Sequence, residues 1–176
     1  MIVAIGHKKQ QGKDTAANFL TCEYGARVRP FAQKLYNICS SIDPEIRTRH
    51  FYDDNPSLKD KPLSEGGPTP RDVLLKIGKT LRELYGNEFF IPYETLSYYK
   101  DRSDMLVFPD FRFKCEAKAL KENGAFFLKI VRPSVMLAGD EADNDLDDWD
   151  GWDAIIINDG TLEDFKKKFL EVVPYG

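Results

Sequence analysis

Apolar and polar residues fall in alternating blocks along this chain, and the blocks predict strands followed by helices. Met1–Ile5 is a continuous apolar run, the mark of a parallel strand buried on both faces. It breaks at Gly6 and passes through the polar stretch His7–Gln11. The chain then reaches Gly12-Lys13-Asp14-Thr15, after which Ala16, Ala17, Phe19 and Leu20 form a helix-like pattern. A turn and a short strand around Ala26–Val28 come next. Phe31, Leu35, Ile38 and Ile42 then fall at helical spacing. From Asp43 to Pro68 the chain is polar and rich in proline, glycine and charge, which predicts a long mobile excursion of the kind that forms lids or substrate-binding insertions.

Thr69-Pro70-Arg71-Asp72 carries a helix-start signature: a capping hydroxyl, a proline at the first helical position and a carboxylate three residues after the cap. Its helix extends to about Tyr85, with Val73, Ile77, Leu81 and Leu84 as the apolar stripe. The aromatic-rich stretch Asn87–Tyr99 reads as one further helix packed over it. Met105–Phe108 is a buried strand ending at Pro109-Asp110, and a helix containing Phe113, Ala117 and Leu120 follows. Ala125–Val131 and Ala154–Ile157 are the last strands. Thr161 opens a closing helix whose Leu162, Phe165, Phe169 and Val172 point inward. The alternation predicts an α/β fold, a parallel sheet of about five strands covered on both faces.

Composition adds boundaries. At 176 residues the chain is expected to be one domain, 1–176. Its apolar share of 42% and charged share of 31% are those of a soluble globular protein. A net charge of −4 argues against nucleic-acid binding driven by a global positive field. Cys22, Cys39 and Cys115 are odd in number, widely spaced and without metal-ligand pattern, so they read as reduced thiols in a cytoplasmic protein. No apolar run reaches transmembrane length, and no membrane partner is expected.

The candidate chemistry begins at the first loop. Strand, glycine-bounded loop and helix together form an architecture that cradles phosphate. Backbone N–H groups converge on the anion and a lysine adds a full positive charge. Five residues separate Gly6 from Gly12, one more than in the usual phosphate loop, and Asp14 stands where Ser or Thr is usual. The competing reading is a polar turn leading into a surface helix. Arg27 and Arg29 are read evenly as ligand-facing or solvated. Arg71 and Arg82 share a helix stripe with Gly78. They either hold an anionic group through bidentate hydrogen bonds or pair with surface carboxylates, while Gly78 marks close approach by a backbone or a ligand. Asp110, at the carboxyl end of a central strand, sits where open α/β sheets bind ligands, and a carboxylate there can orient Mg²⁺. Arg112 and Glu116, four apart, could instead form a helix-start pair. Residues 140–153 carry eight acidic groups and no basic one. The calcium-loop pattern fails there, because Asp148 and Ala154 stand where Gly and Glu are needed, which leaves a solvated acidic loop anchored by Trp149 and Trp152.

Four stretches together resemble the deoxynucleoside monophosphate kinase family, found chiefly in bacteriophages, a branch of the adenylate-kinase-like phosphate-loop fold. They are Gly12–Thr15, Thr69-Pro70-Arg71 with the later Gly78, Asp110-Phe111-Arg112-Phe113 with Glu116-Ala117, and Asn158-Asp159-Gly160-Thr161-Leu162. Leu75 stands near where that family has glutamine. The resemblance implies a P-loop three-layer sandwich with strand order 2-3-1-4-5, a helical substrate-binding insertion at 43–99 and a small lid at 133–152. It implies phosphoryl transfer from ATP to a dNMP, with Mg²⁺. Gly12, Lys13, Asp14 and Thr15 would hold the ATP phosphates, with Asp110 and Thr15 at the metal. Lys8 or Lys9 would reach the transferred or acceptor phosphate. Arg71 would grip the dNMP phosphate with help from Arg82. Arg112 and Arg132 would neutralise developing charge. Asn158, Gly160 and Thr161 would lie near adenine. The partners expected are small molecules, in the host cytoplasm if the protein is viral, and a homodimer is left open. Another metabolite kinase of the same fold and a nucleotide-binding protein without turnover are the rival readings.

Overall fold

The computed structural model describes residues 1–135 and 144–174. Strands β1 (Ile2–Gly6), β2 (Arg27–Val28), β3 (Leu106–Phe111), β4 (Phe126–Val131) and β5 (Ala154–Ile157) form a five-stranded sheet in the order β2-β3-β1-β4-β5. Every pairing is parallel. This is the α/β architecture and strand order expected of a phosphate-loop kinase-like fold. The physical basis is visible in β1, where all five residues are buried because the strand lies centrally and is covered on both faces. On one face Val3 and Ile5 join Val107, Leu128 and Ile130 in a core with Ala16, Ala17 and Leu20 of α1 (Lys13–Tyr24) and Phe165 and Phe169 of α7 (Leu162–Val172). The alternate residues Ile2, Ala4, Leu106 and Phe108 are equally inaccessible.

The strand β3 runs further than the apolar block suggested. It includes Pro109, Asp110 and Phe111 and pairs Gly6 with Phe111 across an irregularity between Ala4 and Gly6. Helix α6 (Lys114–Glu122) begins one residue after Phe113. In α7, Thr161 caps the helix and pairs reciprocally with Asp164. Leu162 is the correction there: it is 64% exposed, because the first turn projects past the core that Phe165 and Phe169 fill.

The chain divides into two compact units, Met1–Pro30 with Pro92–Gly176, and Phe31–Ile91. The second unit therefore begins before residue 43 and ends before residue 99. Its own core explains the starting point: Tyr36 and Cys39 of α2 (Ala32–Ile42) pack with Ile46, Tyr52 and Leu74. The expected excursion from 43 to 68 contains α3 (Arg49–Asp54), capped by Thr48, and a 3₁₀ turn at Pro56–Asp60. Helix α4 (Pro70–Tyr85) starts at the capping box read from Thr69 and Asp72. Its stripe is shifted from expectation. Leu74 is buried and Leu84 is 70% exposed, as is Ile42 at 68% on α2, since both lie at helix ends beyond the small core. Gly78 meets Leu35 of α2, whose Cδ2 would lie 3.2 Å from an added Cβ, so the close approach is made by a side chain of the same unit. The single helix expected over 87–99 is instead a 3₁₀ turn at Asn87–Phe90 and α5 (Tyr93–Tyr99). Pro92 lacks an N–H and biases Ile91 toward extended backbone, which separates the two.

Candidate functional site

The loop after β1 is braced from several distant positions of the chain. Three of its residues hold positive φ: His7 at 81°, Gln10 at 61° and Gly12 at 103°. Only the last is glycine, so the conformation costs energy that neighbouring contacts must offset. Lys13 opens α1 and is buried, 7% exposed. Its ammonium turns back into the loop, donating to the carbonyls of Lys8 and, at 3.4 Å, of His7. A full cation is thus held at the loop, beside the exposed N–H groups of a helix start. The Gly12 Cα lies against Asn158, whose Nδ2 would be 2.8 Å from an added Cβ.

Side chains from distant positions tie this loop down. Gln11, 3% exposed, accepts the N–H of Arg132 at 2.5 Å and donates to the Lys9 carbonyl at 3.3 Å. Asn158 donates from Nδ2 to the Gln11 carbonyl at 3.1 Å. Asp147 meets both His7 (Nε2–Oδ1 2.6 Å) and Lys8 (Nζ–Oδ1 2.8 Å). The hydrogen bonds from Lys8 and then His7 hold the Asp147 carboxyl below the usual carboxylate range. Next to it, Asp145 accepts the N–H of Lys114 at the start of α6, and Asp148 pairs with the Lys114 ammonium. The acidic stretch 144–148 is therefore docked on the loop and on α6. Residues 136–143 of the expected lid, with the Asp143 start of the rejected calcium loop, lie outside the described residues. Trp149 and Trp152 do anchor the stretch, packing edge-on at 4.6 Å among Phe111 and Phe127.

His7 carries a pH prediction. Burial, the dominant cause, pushes its imidazole below the ordinary value, against the opposing effect of the hydrogen bond it donates to Asp147. The unfolded chain thus binds this proton more readily than the folded one. Stability from neutral His7 is fully present above about pH 6.5 and is lost as pH falls toward the lower folded value. Asp147, depressed in the folded state, loses its contribution only further down, below about pH 4. Melting curves from pH 7.5 to 5.5 should show a falling Tm. The fall should be shallower in His7→Asn, a residue that tolerates positive φ. Equal slopes would remove His7 from the account. The other histidine, His50, is solvent-facing and common to both proteins.

The remaining candidates divide by unit. In the first, Asp110 lies on β3 immediately before Phe111, the residue opposite Gly6, so it borders the start of the loop. Arg112 follows the strand, and its backbone N–H, like that of Phe113, donates to Glu116 (2.8 and 3.2 Å). Glu116 thus caps α6 by accepting backbone N–H groups. Arg132 stands exposed at the end of β4, and Thr15 is half-buried in the first turn of α1. Thr161 uses its hydroxyl in the α7 cap with Asp164, and Gly160 lets Asp164 approach. In the second unit, Arg71 forms a two-point pair with Asp60 (2.5 and 3.2 Å). Arg82 donates to the Asn87 carbonyl at 2.7 Å and lies over Phe90. The sequence reading missed Gln11, His7 and Asp147. A neutral amide wedged between two lysines and the Gly-Lys pair was the available signal for Gln11.

No family model matches the chain. It is similar to a protein of Acanthamoeba polyphaga mimivirus described as a "putative deoxynucleotide monophosphate kinase", 25% identical over 193 residues that cover 98% of this chain and 96% of that protein. Among solved structures, an unliganded sugar kinase from a Janibacter species aligns over 98% of this chain and 95% of its own, at 13% identity and a TM-score of 0.46. Among the described residues, no helix is long and apolar enough to cross a membrane.

Proposed function

We propose that this protein is a nucleoside monophosphate kinase that transfers the γ-phosphoryl group of ATP to a deoxynucleoside monophosphate, giving dNDP and ADP. The observation that carries this reading is the Lys13 ammonium, held inside a braced loop at the carboxyl end of the central strand of a 2-3-1-4-5 parallel sheet. The full-length similarity to the mimivirus protein supports it.

Phosphoryl transfer asks little covalent chemistry of a protein. It asks for positioning and for stabilisation of charge on two polyanions. Gly12, Lys13, Asp14 and Thr15 would receive the donor phosphates at the loop and the α1 start. Lys8 and Lys9 would reach the acceptor or the moving group, Lys8 exchanging its Asp147 partner for phosphate. Arg112 and Arg132, from the ends of β3 and β4, would neutralise developing charge. Arg71 and Arg82 would grip the acceptor phosphate. The Asn158–Thr161 turn would border adenine, with the Asn158 side chain already committed to the loop. The donor set near the loop, an Asp110 carboxylate and a Thr15 hydroxyl, is hard oxygen and fits Mg²⁺. Bound there with the nucleotide, the ion would supply charge neutralisation between phosphates.

Coupled ADP-release assays across the dNMPs, ribonucleoside monophosphates and phosphorylated metabolites test the reading. ADP should appear with at least one dNMP, and silence with all of them would reject it. Arg71→Ala is expected to raise the acceptor KM by about 10- to 100-fold, the worth of a charge-assisted hydrogen bond of ~1.5–3 kcal/mol. The donor KM should hold. The fold should survive, because the Arg71–Asp60 pair is largely exposed and such pairs stabilise little. Unchanged acceptor kinetics would reject the assignment.

A further inference from the structure

A closed circuit of hydrogen bonds joins the loop to the ends of β4 and β5. Gln11 Oε1 accepts the N–H of Arg132 at 2.5 Å. Across the same peptide group, the Val131 carbonyl accepts the N–H of Asn158 at 2.8 Å. The Asn158 side chain returns to the Gln11 carbonyl at 3.1 Å. Each hydrogen bond is linked to the next through covalent structure, so a shift at one position strains the others. The fourth contact, Gln11 Nε2 to the Lys9 carbonyl, fixes which way the amide faces.

We propose that Gln11 is a positioning residue that sets Arg132 in one frame with the Gly12–Lys13 step, and that Asn158 closes that frame. The proposal rests on the kinase reading, in which Lys13 and Arg132 act on the same transferred group. Gln11 is 3% exposed, and its side chain both accepts from and donates to backbone groups of the protein. Arg132 is different. Its N–H is pinned by Gln11 and its carbonyl accepts the N–H of Val135 at 3.1 Å, while its side chain is exposed just past the end of β4. What the circuit controls is the point from which that guanidinium reaches. Errors of about 1 Å in such a point can cost ~100-fold in rate. Asn158 acts the same way from the far side, pressing on Gly12, which directly precedes Lys13.

The test pairs kinetics with hydrogen exchange. Gln11→Met keeps the length and removes both polar groups. It should lower kcat by about 10- to 100-fold with donor KM nearly unchanged. In an Arg132→Ala background, Gln11→Met should cost little more, because the group it positions is gone. Multiplicative losses, or an effect confined to donor KM, would overturn the positioning role. Asn158→Ala breaks the circuit from the other side and stands in if Gln11→Met folds poorly. Its loss should be equal with ATP and GTP as donor, whereas a loss specific to ATP would make Asn158 a base contact and overturn its place in the frame. Amide exchange of Arg132, followed by NMR, reads the circuit without turnover: it should accelerate in Gln11→Met, and unchanged protection would overturn the proposal whatever the activity. An inactive wild type with accelerated Arg132 exchange would reject the kinase reading and leave the circuit standing.

Discussion

Lys13→Met is expected to lower kcat/KM for phosphoryl transfer by about 10²–10³-fold, the scale seen when one preorganised donor to a developing charge is removed. The side chain is buried and its charge is aimed into the loop by the carbonyls of His7 and Lys8. A cation in that setting is already desolvated and oriented, so it pays little reorganisation when phosphate oxygens arrive. Methionine fills the space of the aliphatic stem and leaves the two carbonyls without their donor. One of these losing its partner in a buried setting costs ~1–3 kcal/mol, so a Tm reduction of about 2–4 °C per kcal/mol should accompany the kinetic loss. Circular dichroism at assay temperature separates the two effects, since the enzyme should remain folded while ADP release collapses. Lys13→Arg is not a conservative control, because a planar fork cannot take the place of a compact ammonium beneath a tight loop. Turnover within a few-fold of wild type would show that this loop does not hold the donor.

The sheet was legible because its evidence is local. Met1–Ile5 and the later apolar runs are buried on both faces, and such strands show as unbroken hydrophobic blocks in sequence. The Thr69–Asp72 box was legible for the same reason, being a bond over three residues, and so was the helix start at Thr161. Helix ends were less so. Ile42, Leu84 and Leu162 keep helical spacing and yet face solvent, because spacing reports a face and not how far the opposing core extends. The strand–loop–helix step was legible through Gly6, Gly12 and the apolar pattern after Lys13, but the bracing of the loop was invisible. The bonds Gln11–Arg132, His7–Asp147 and Asn158–Gln11 span 121, 140 and 147 positions. No periodicity or local motif encodes a partner that far away.

That bracing also explains how a loop with one residue more than usual keeps its shape. His7 and Gln10 adopt positive φ without the freedom of glycine, a cost of about 1–3 kcal/mol each that isolated chain would not accept. Asp147 holds the entry of the loop, Gln11 its middle and Asn158 its exit. These contacts come from the segment after β4 and from the ends of β4 and β5, so the loop is as much a product of the second half of the chain as of the first. The acidic stretch 144–148, read as solvated surface, has part of its charge engaged in this work.

Gly6→Ala should be the most destabilising single methyl addition in the first unit. An added Cβ would sit 2.2 Å from Cε1 and 2.4 Å from Cζ of Phe111, distances that require something to move. Phe111 cannot swing clear, because it is fully buried and its ring meets Phe127, Trp149 and Trp152 at centroid separations of 5.6, 5.9 and 5.5 Å. Nor can the backbone withdraw, since Gly6 is paired on one side with Phe111 and on the other with Lys129. Overpacking commonly costs ~1–3 kcal/mol, and a ring locked by three others places this site at or above the top of that range. A Tm fall of about 6–12 °C is expected for 3 kcal/mol in a chain of this size. The cause is space, in contrast to Gly12, where a φ of 103° already disfavours a side chain. The distinction is testable by compensation. Phe111→Leu shortens the ring that collides, so Gly6→Ala should cost markedly less in that background, whereas a conformational requirement at Gly6 would leave its cost unchanged. Since Gly6 is the last residue of β1 before the loop, the same collision should also displace Lys8 and Lys13. Gly6→Ala in the Phe111→Leu background should therefore recover activity together with stability, and recovery of stability alone would separate the packing of β1 on β3 from the shape of the loop.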